Sequence, residues 1–325
     1  EGTPYLDPGP PPLLNEIDHA ELAASLVELI LLSSKLDGVN GGAEADYGRV
    51  VAEFWEDGPA TESPPGHWNL VALFAAEHTG PEVGLSERLE WEIELFVALN
   101  AALHDAAIAC WDAKFHYDSI RPISLIRHMG ELGQSSDPDA DRHHPLGLPL
   151  VPGLIELVTD ASAADGERHE GIEAGLIAVY TWRGNPQNPN TQISGVGWIP
   201  AVSWLPYQHK EFITPAFPGY PSGHSTYSTA AADILEWYLG SDEIPGGPMA
   251  FEAPATQYLS FERGPREPVT LSWSTFSELA DEAGRSRLWG GIHPWFDDTA
   301  GREVGRTVAE RVREKLTSLS DSDER

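Results

Sequence analysis

The chain has 325 residues, of which 41% are hydrophobic and 11 are tryptophan; this excludes a disordered chain and is enough to build a large core. Its 20 lysines and arginines face 51 aspartates and glutamates, a formal net charge of −31. That balance excludes nucleic-acid binding by phosphate neutralisation and would repel an anionic membrane. The lone Cys110 excludes an intrachain disulfide and, in its apolar setting, reads as a small core residue rather than a nucleophile.

Five prolines in the first twelve residues make an extended arm. The chain opens at Glu1, without an initiator methionine and without a charged-then-apolar leader; a soluble protein, secreted or periplasmic after processing, is the expectation. Helical apolar spacing runs over 14–36 and stops at Asp37-Gly38, and a second helix is predicted over 47–55. The apolar run inside 26–32 is too short to span a bilayer. The strongest periodicity covers 85–121, with Leu89, Ile93, Phe96 and Val97 as its early apolar face and Pro122 as a kink or boundary. Residues 130–152 form a polar loop. Its Asp137, Asp139 and Asp141 lack the central glycine and downstream glutamate of a calcium loop, and His143-His144 have no second ligand pair. Helices are predicted over 154–161 and 172–182, then from His224 to Leu239 and over 276–288 and 299–316, with breaks at 184–190 and 240–268. No repeat and no alternation for a large sheet is present. The reading is all-α: an arm and helix over 1–46, one large helical bundle over 47–317 with long loops around a central site, and an acidic tail over 318–325.

Three segments carry the chemistry. Lys114, Arg121 and Pro122 form K-x6-RP; Pro221-Ser222-Gly223-His224 form PSGH; Ser286, Arg287, His293 and Asp297 form SR-x5-H-x3-D. The seven-residue step from Lys114 to Arg121 is two helical turns and places both on nearly one face, with Trp111 a turn earlier. A Lys and Arg snorkelling beside a core Trp would be the plain structural alternative. Ser222 and Gly223 stand where a loop enters a helix, so free backbone N–H groups and the helix dipole favour an anion there. Arg287 offers a planar fork to two oxygens. His293 can bond a central atom only as neutral imidazole, and Asp297 would meet it if the turn between them is helical.

Together these patterns resemble the superfamily joining vanadium-dependent haloperoxidases with type-2 phosphatidic acid phosphatases and bacterial acid phosphatases. The likeness to the haloperoxidases is the closer, through Trp111, the Phe217–Tyr220 approach to PSGH, Glu53-Phe54-Trp55-Glu56-Asp57-Gly58 and Pro64-Pro65-Gly66-His67-Trp68-Asn69. The resemblance implies vanadate as cofactor, held by Lys114, Arg121, Ser222, Gly223 and Arg287 and bonded by His293. It also implies His224 as general base toward hydrogen peroxide, Lys114 as the group polarising it, and Trp111 and Phe217 beside the halide. Asp297 would support His293, and Asp57 would pair with Arg287; His67 has no derivable role. Hypohalous acid, and an organic acceptor for it, would follow. One cysteine and two methionines suit a protein bathed in oxidant. A homodimer is compatible with exposed apolar stripes.

The same constellation admits two other readings. In a phosphatase, His293 would attack phosphorus and His224 would protonate the leaving group. A non-catalytic oxyanion-binding protein would have no need of both histidines.

Overall fold

The computed structural model describes residues 2–56, 58 and 61–323. Eight α-helices and two small antiparallel sheets succeed one another along them. Helices α1 (His19–Ser34), α2 (Gly42–Phe54), α3 (Pro64–His78), α4 (Leu85–Tyr117) and α5 (Pro122–Leu132) precede strands β1 (Ile155–Leu157), β2 (Ile177–Trp182) and β3 (Val196–Pro200). Then come α6 (Gly223–Leu239), β4 (Met249–Ala253), β5 (Val269–Trp273), α7 (Phe276–Trp289) and α8 (Trp295–Asp323).

The bundle is built on α4, α6 and α8, whose facing sides are made of small residues. Ala98, Ala102, Ala106 and Ala109 of α4 meet Ala230 and Ile234 of α6 and Val304, Val308 and Val312 of α8, all buried. Gly301 and Gly305 of α8 tighten the seam. A Cβ added at Gly301 would lie 2.5 Å from the Ser222 carbonyl oxygen, and one at Gly305 would lie 2.6 Å from that of Thr226. These contacts replace side-chain thickness with backbone proximity, which brings the first turns of α6 and α8 together. A second core of Trp55, Trp68, Leu95, Leu99, Leu235 and Phe276 packs α2, α3 and α7 around them.

The mainly helical fold agrees with the sequence reading, and several elements correct it. The predicted early face of α4 is wrong: Leu89, Ile93 and Val97 are about half exposed, while Leu95 and Leu99 are buried. The alanine stripe is the face that lets neighbouring helices approach. The stretch Leu85–Leu132 has the length and composition to cross a bilayer, although 44% of its most apolar window is buried in the bundle. It is also interrupted by Asp118, in the left-handed region at φ 45°. Arg121 therefore does not share a helix face with Lys114; it caps α5, with Pro122 in that helix's first turn. The helices predicted over 154–161 and 172–182 are strands β1 and β2, paired Ile155↔Val179, with β2 paired to β3 through Trp182↔Val196. Residues 177–182 are rich in β-branched and aromatic side chains and largely buried, so the alternation that marks a half-exposed strand is missing. Helix α3 was not predicted; Ser63 at its N-cap and Pro64 at its start open it.

The Gly301 contact is testable. Gly301→Ala should destabilise the protein by about 1–3 kcal/mol, because the added methyl collides with backbone rather than a flexible side chain. Urea denaturation measures it, and an unchanged midpoint would show that α6 and α8 are not so closely held.

Candidate active site

Five helix ends converge on one cavity of about 320 Å³. Lys114 lies in the last turn of α4 and Arg287 in that of α7, Arg121 caps α5, Ser222 caps α6, and His293 just precedes α8. Trp111, Lys114, Arg121, Phe217, Gly223, His224, Arg287 and His293 all line the cavity, joined by Pro64, Gln208, Phe212 and Tyr227. Ser222 does not line it, although it is fully buried directly behind Gly223. Asp57 lies outside the described residues.

The His293 ring is held at both nitrogens. Its Nδ1 is 2.6 Å from Asp297 Oδ2, and its Nε2 is 3.1 Å from Arg121 Nη1. A guanidinium can only donate, so Nε2 is the unprotonated nitrogen and Nδ1–H donates to Asp297. Burial, reinforced by Arg121 and Lys114, holds its pKa well below the ordinary histidine value. Burial likewise raises the Asp297 carboxyl, against the pull of Lys114 and Arg121. The product is a neutral imidazole whose basic nitrogen lies among cations.

His224 is fixed by a different partner. Its Nε2 lies 2.6 Å from the Trp55 carbonyl oxygen, which can only accept; Nε2 therefore carries the proton and Nδ1 is the basic position. Burial and the Arg287 charge depress its pKa well below the ordinary value. The Trp55 carbonyl is available because α2 ends at Phe54. Sequence patterns cannot signal such a contact, since it involves backbone.

Lys114 and Arg121 are held mainly by carbonyl dipoles. Lys114 Nζ donates to the carbonyls of Pro218 (3.1 Å), Gly219 (2.5 Å) and Pro221 (2.6 Å), clamping the loop before α6. Burial pulls its pKa below the lysine range. Arg121 donates Nε to Phe217 O and Nη1 to Ile292 O, each at 3.1 Å, and its Nη2 is buried with no partner among the described residues. Burial draws its pKa down to about 10. Arg287 donates Nη2 to Ala52 O at 2.8 Å and Nε to Ser286 Oγ at 2.9 Å. Aromatic rings close the near side: Trp111 and Phe217 have centroids 5.2 Å apart, with Lys114 Nζ 5.7 and 5.4 Å from them. Gly223 must be small, since a Cβ would come within 3.2 Å of the Trp111 ring.

An orphaned, buried guanidinium nitrogen beside a neutral imidazole and a helix start fits a tetrahedral or trigonal oxyanion. The chain belongs to the family described as the VCPO second helical-bundle domain, whose model matches residues 94–144 and 172–322. It is thus a vanadium-haloperoxidase-type protein. No curated protein sequence matches it. Among solved structures it is similar to the apo and holo forms of a bacterial vanadium-dependent chloroperoxidase, with TM-scores of 0.61 and 0.60 at 19% and 20% identity. A structure titled the first bacterial vanadium-dependent iodoperoxidase gives a TM-score of 0.56 at 22% identity. Each match covers 95% of this chain and 54%, 52% and 52% of the respective relatives, so the chain spans about half their length. The likeness is one of fold.

The histidine environments set a pH expectation. Both folded pKa values are depressed, so the neutral rings contribute stability in full above the unfolded value near ~6.5; it is lost as pH falls through the folded values. In NMR titrations of the oxyanion-free protein, His224 and His293 should therefore stay neutral well below pH ~6.5. A midpoint at or above that value for either ring would refute the assignment.

Proposed function

We propose that this protein is a vanadate-dependent haloperoxidase, oxidising halide with hydrogen peroxide to hypohalous acid. The observation that carries the reading is the neutral His293 Nε2 among buried cations, at a cavity walled by Trp111 and Phe217. Vanadate, when bound there, would supply a Lewis-acid centre able to activate peroxide without changing oxidation state. Nε2 of His293 would bond the central atom, with Nδ1–H held by Asp297. The orphaned Arg121 Nη2, Arg287 and the Gly223 N–H would hold its oxygens, and Ser222 would join them only by turning its hydroxyl away from Ser225. Lys114 would join them by exchanging one of its three carbonyls for the anion. His224 would take the peroxide proton at Nδ1, because Nε2 is committed to Trp55.

The aromatic wall supports oxidation over hydrolysis. Cations behind π-faces make a poorly hydrated, weakly positive surface suited to a halide ion. Phosphate would engage the same donors, so hydrolysis by His293 attack is the competing reading.

On vanadate-reconstituted protein, halide-dependent peroxide turnover should exceed phosphate-ester hydrolysis by the vanadate-free form. Rapid hydrolysis with no halide oxidation at any vanadate concentration would promote the phosphatase reading. Phosphate should displace vanadate and inactivate, and excess vanadate should restore activity. Elemental analysis should find no retained vanadium in folded His293→Ala. His224→Ala should retain it while turnover with peroxide falls about 10²–10⁴-fold; unchanged turnover would assign the base elsewhere.

A further inference from the structure

Ser222 stands apart from the other expected oxyanion donors because it does not line the cavity, and a hydrogen-bond count along α6 and α8 explains why. Its Oγ lies 2.9 Å from Ser225 Oγ, one helical turn along α6. Ser225 Oγ in turn lies 2.6 Å from Asp298 Oδ1, which also accepts Arg302 Nε at 2.9 Å. Arg302 is itself paired with Asp281 near the surface. The close approach of Gly301 to the Ser222 backbone brings Asp298 within reach of α6.

Each hydroxyl has one proton to give. Facing the Arg302 guanidinium, Asp298 is a carboxylate and can only accept, so the Ser225 proton goes to Asp298. The Ser222–Ser225 contact must then use the Ser222 proton. Ser222 also accepts the Ser225 N–H at 3.4 Å, which completes its role as N-cap. Its one donor is thus directed along the helix and away from the cavity.

We propose that Asp298, acting through Ser225, is a positioning residue that withholds the Ser222 hydroxyl from the oxyanion pocket and so weakens the site's grip on its anion. Ser222 can donate to a bound oxyanion only by giving up Ser225, leaving two hydroxyl oxygens facing each other without a proton between them. Removing Ser225 Oγ abolishes that competition. Removing the Asp298 carboxylate frees the Ser225 proton to point at Ser222, whose own proton then turns to the pocket. Both changes strengthen anion binding, the opposite of what damage to a merely structural contact would do.

This inference rests on the oxyanion reading of the pocket, and one calorimetric experiment separates the two. Full-length protein stripped of oxyanion is titrated with orthovanadate and, separately, with inorganic phosphate. Ser225→Ala should bind both about two- to tenfold more tightly than the wild type, the range of one net hydrogen bond. Asp298→Ala should shift Kd in the same direction, and it decides the matter if Ser225→Ala does not fold. In a Ser222→Ala background neither change should strengthen binding, since both act through that hydroxyl. Wild-type binding with unchanged or weaker affinity in the variants would overturn the inference alone, as would a gain that survives without Ser222. A wild-type protein that binds neither anion would overturn the oxyanion reading and this inference together.

Discussion

Positive charge buried without an ion pair of its own is the constraint on which this molecule is organised. Lys114 is 0% exposed and Arg121 6%, and neither forms a salt bridge among the described residues. Carbonyl oxygens from the loop before α6 and from Ile292 compensate them in part. Such dipoles hold a cation in place without neutralising it, so the site keeps a positive potential and an unsatisfied donor. A bound anion would remove the residual cost.

Arg49 shows the same fold setting carboxylates against a buried arginine, although its Nη1, like Arg121 Nη2, has no hydrogen-bond partner among the described residues. It is 0% exposed, pairs with Asp46, and lies 3.5 Å from Glu262. The surface carries most of the net charge of −31, so a chain dominated by carboxylates keeps them back from Lys114 and Arg121. Asp297, whose charge acts on both Lys114 and Arg121, is engaged by His293. In that position it orients the imidazole and fixes its proton on Nδ1, leaving Nε2 basic among the cations.

Precision at the site comes from helix ends rather than long loops. The alanine seam of α4 and the glycines of α8 let backbones approach closely, and the registers of α4, α6 and α8 are thereby locked. The Ser222 N–H donates to the Asp297 carbonyl at 2.8 Å, tying the start of α6 to the start of α8. A shift in either helix would move Gly223 against Trp111 and Asp298 away from Ser225. Packing and site geometry are therefore one set of contacts.

By itself, the sequence determined the helical class and the approximate spans of α1, α4, α6, α7 and α8. It also determined Trp111, Lys114, Arg121, Phe217, Gly223, His224, Arg287 and His293 as candidates that prove to line one cavity. It did not point to Gln208, Phe212 or Tyr227, and it placed Ser222 there, which the cavity lining does not include. Motif chemistry and helical period are local properties, written within a few turns. The tertiary structure alone decided which face of α4 is buried, because close helix approach rewards alanine over the bulkier Leu89, Ile93 and Val97. It decided that residues 177–182 form a strand, since burial on both faces erases the alternating signal. The route of Arg121 depended on a left-handed residue at Asp118, and the tautomer of His224 on a carbonyl 169 positions away in sequence. Asp298 stands beside Asp297 in a Phe-Asp-Asp run, but its bond to Ser225 joins two helices 73 residues apart in sequence. Hydrogen-bond direction depends on how many protons and acceptors share one place, and that count exists only after the helices have packed.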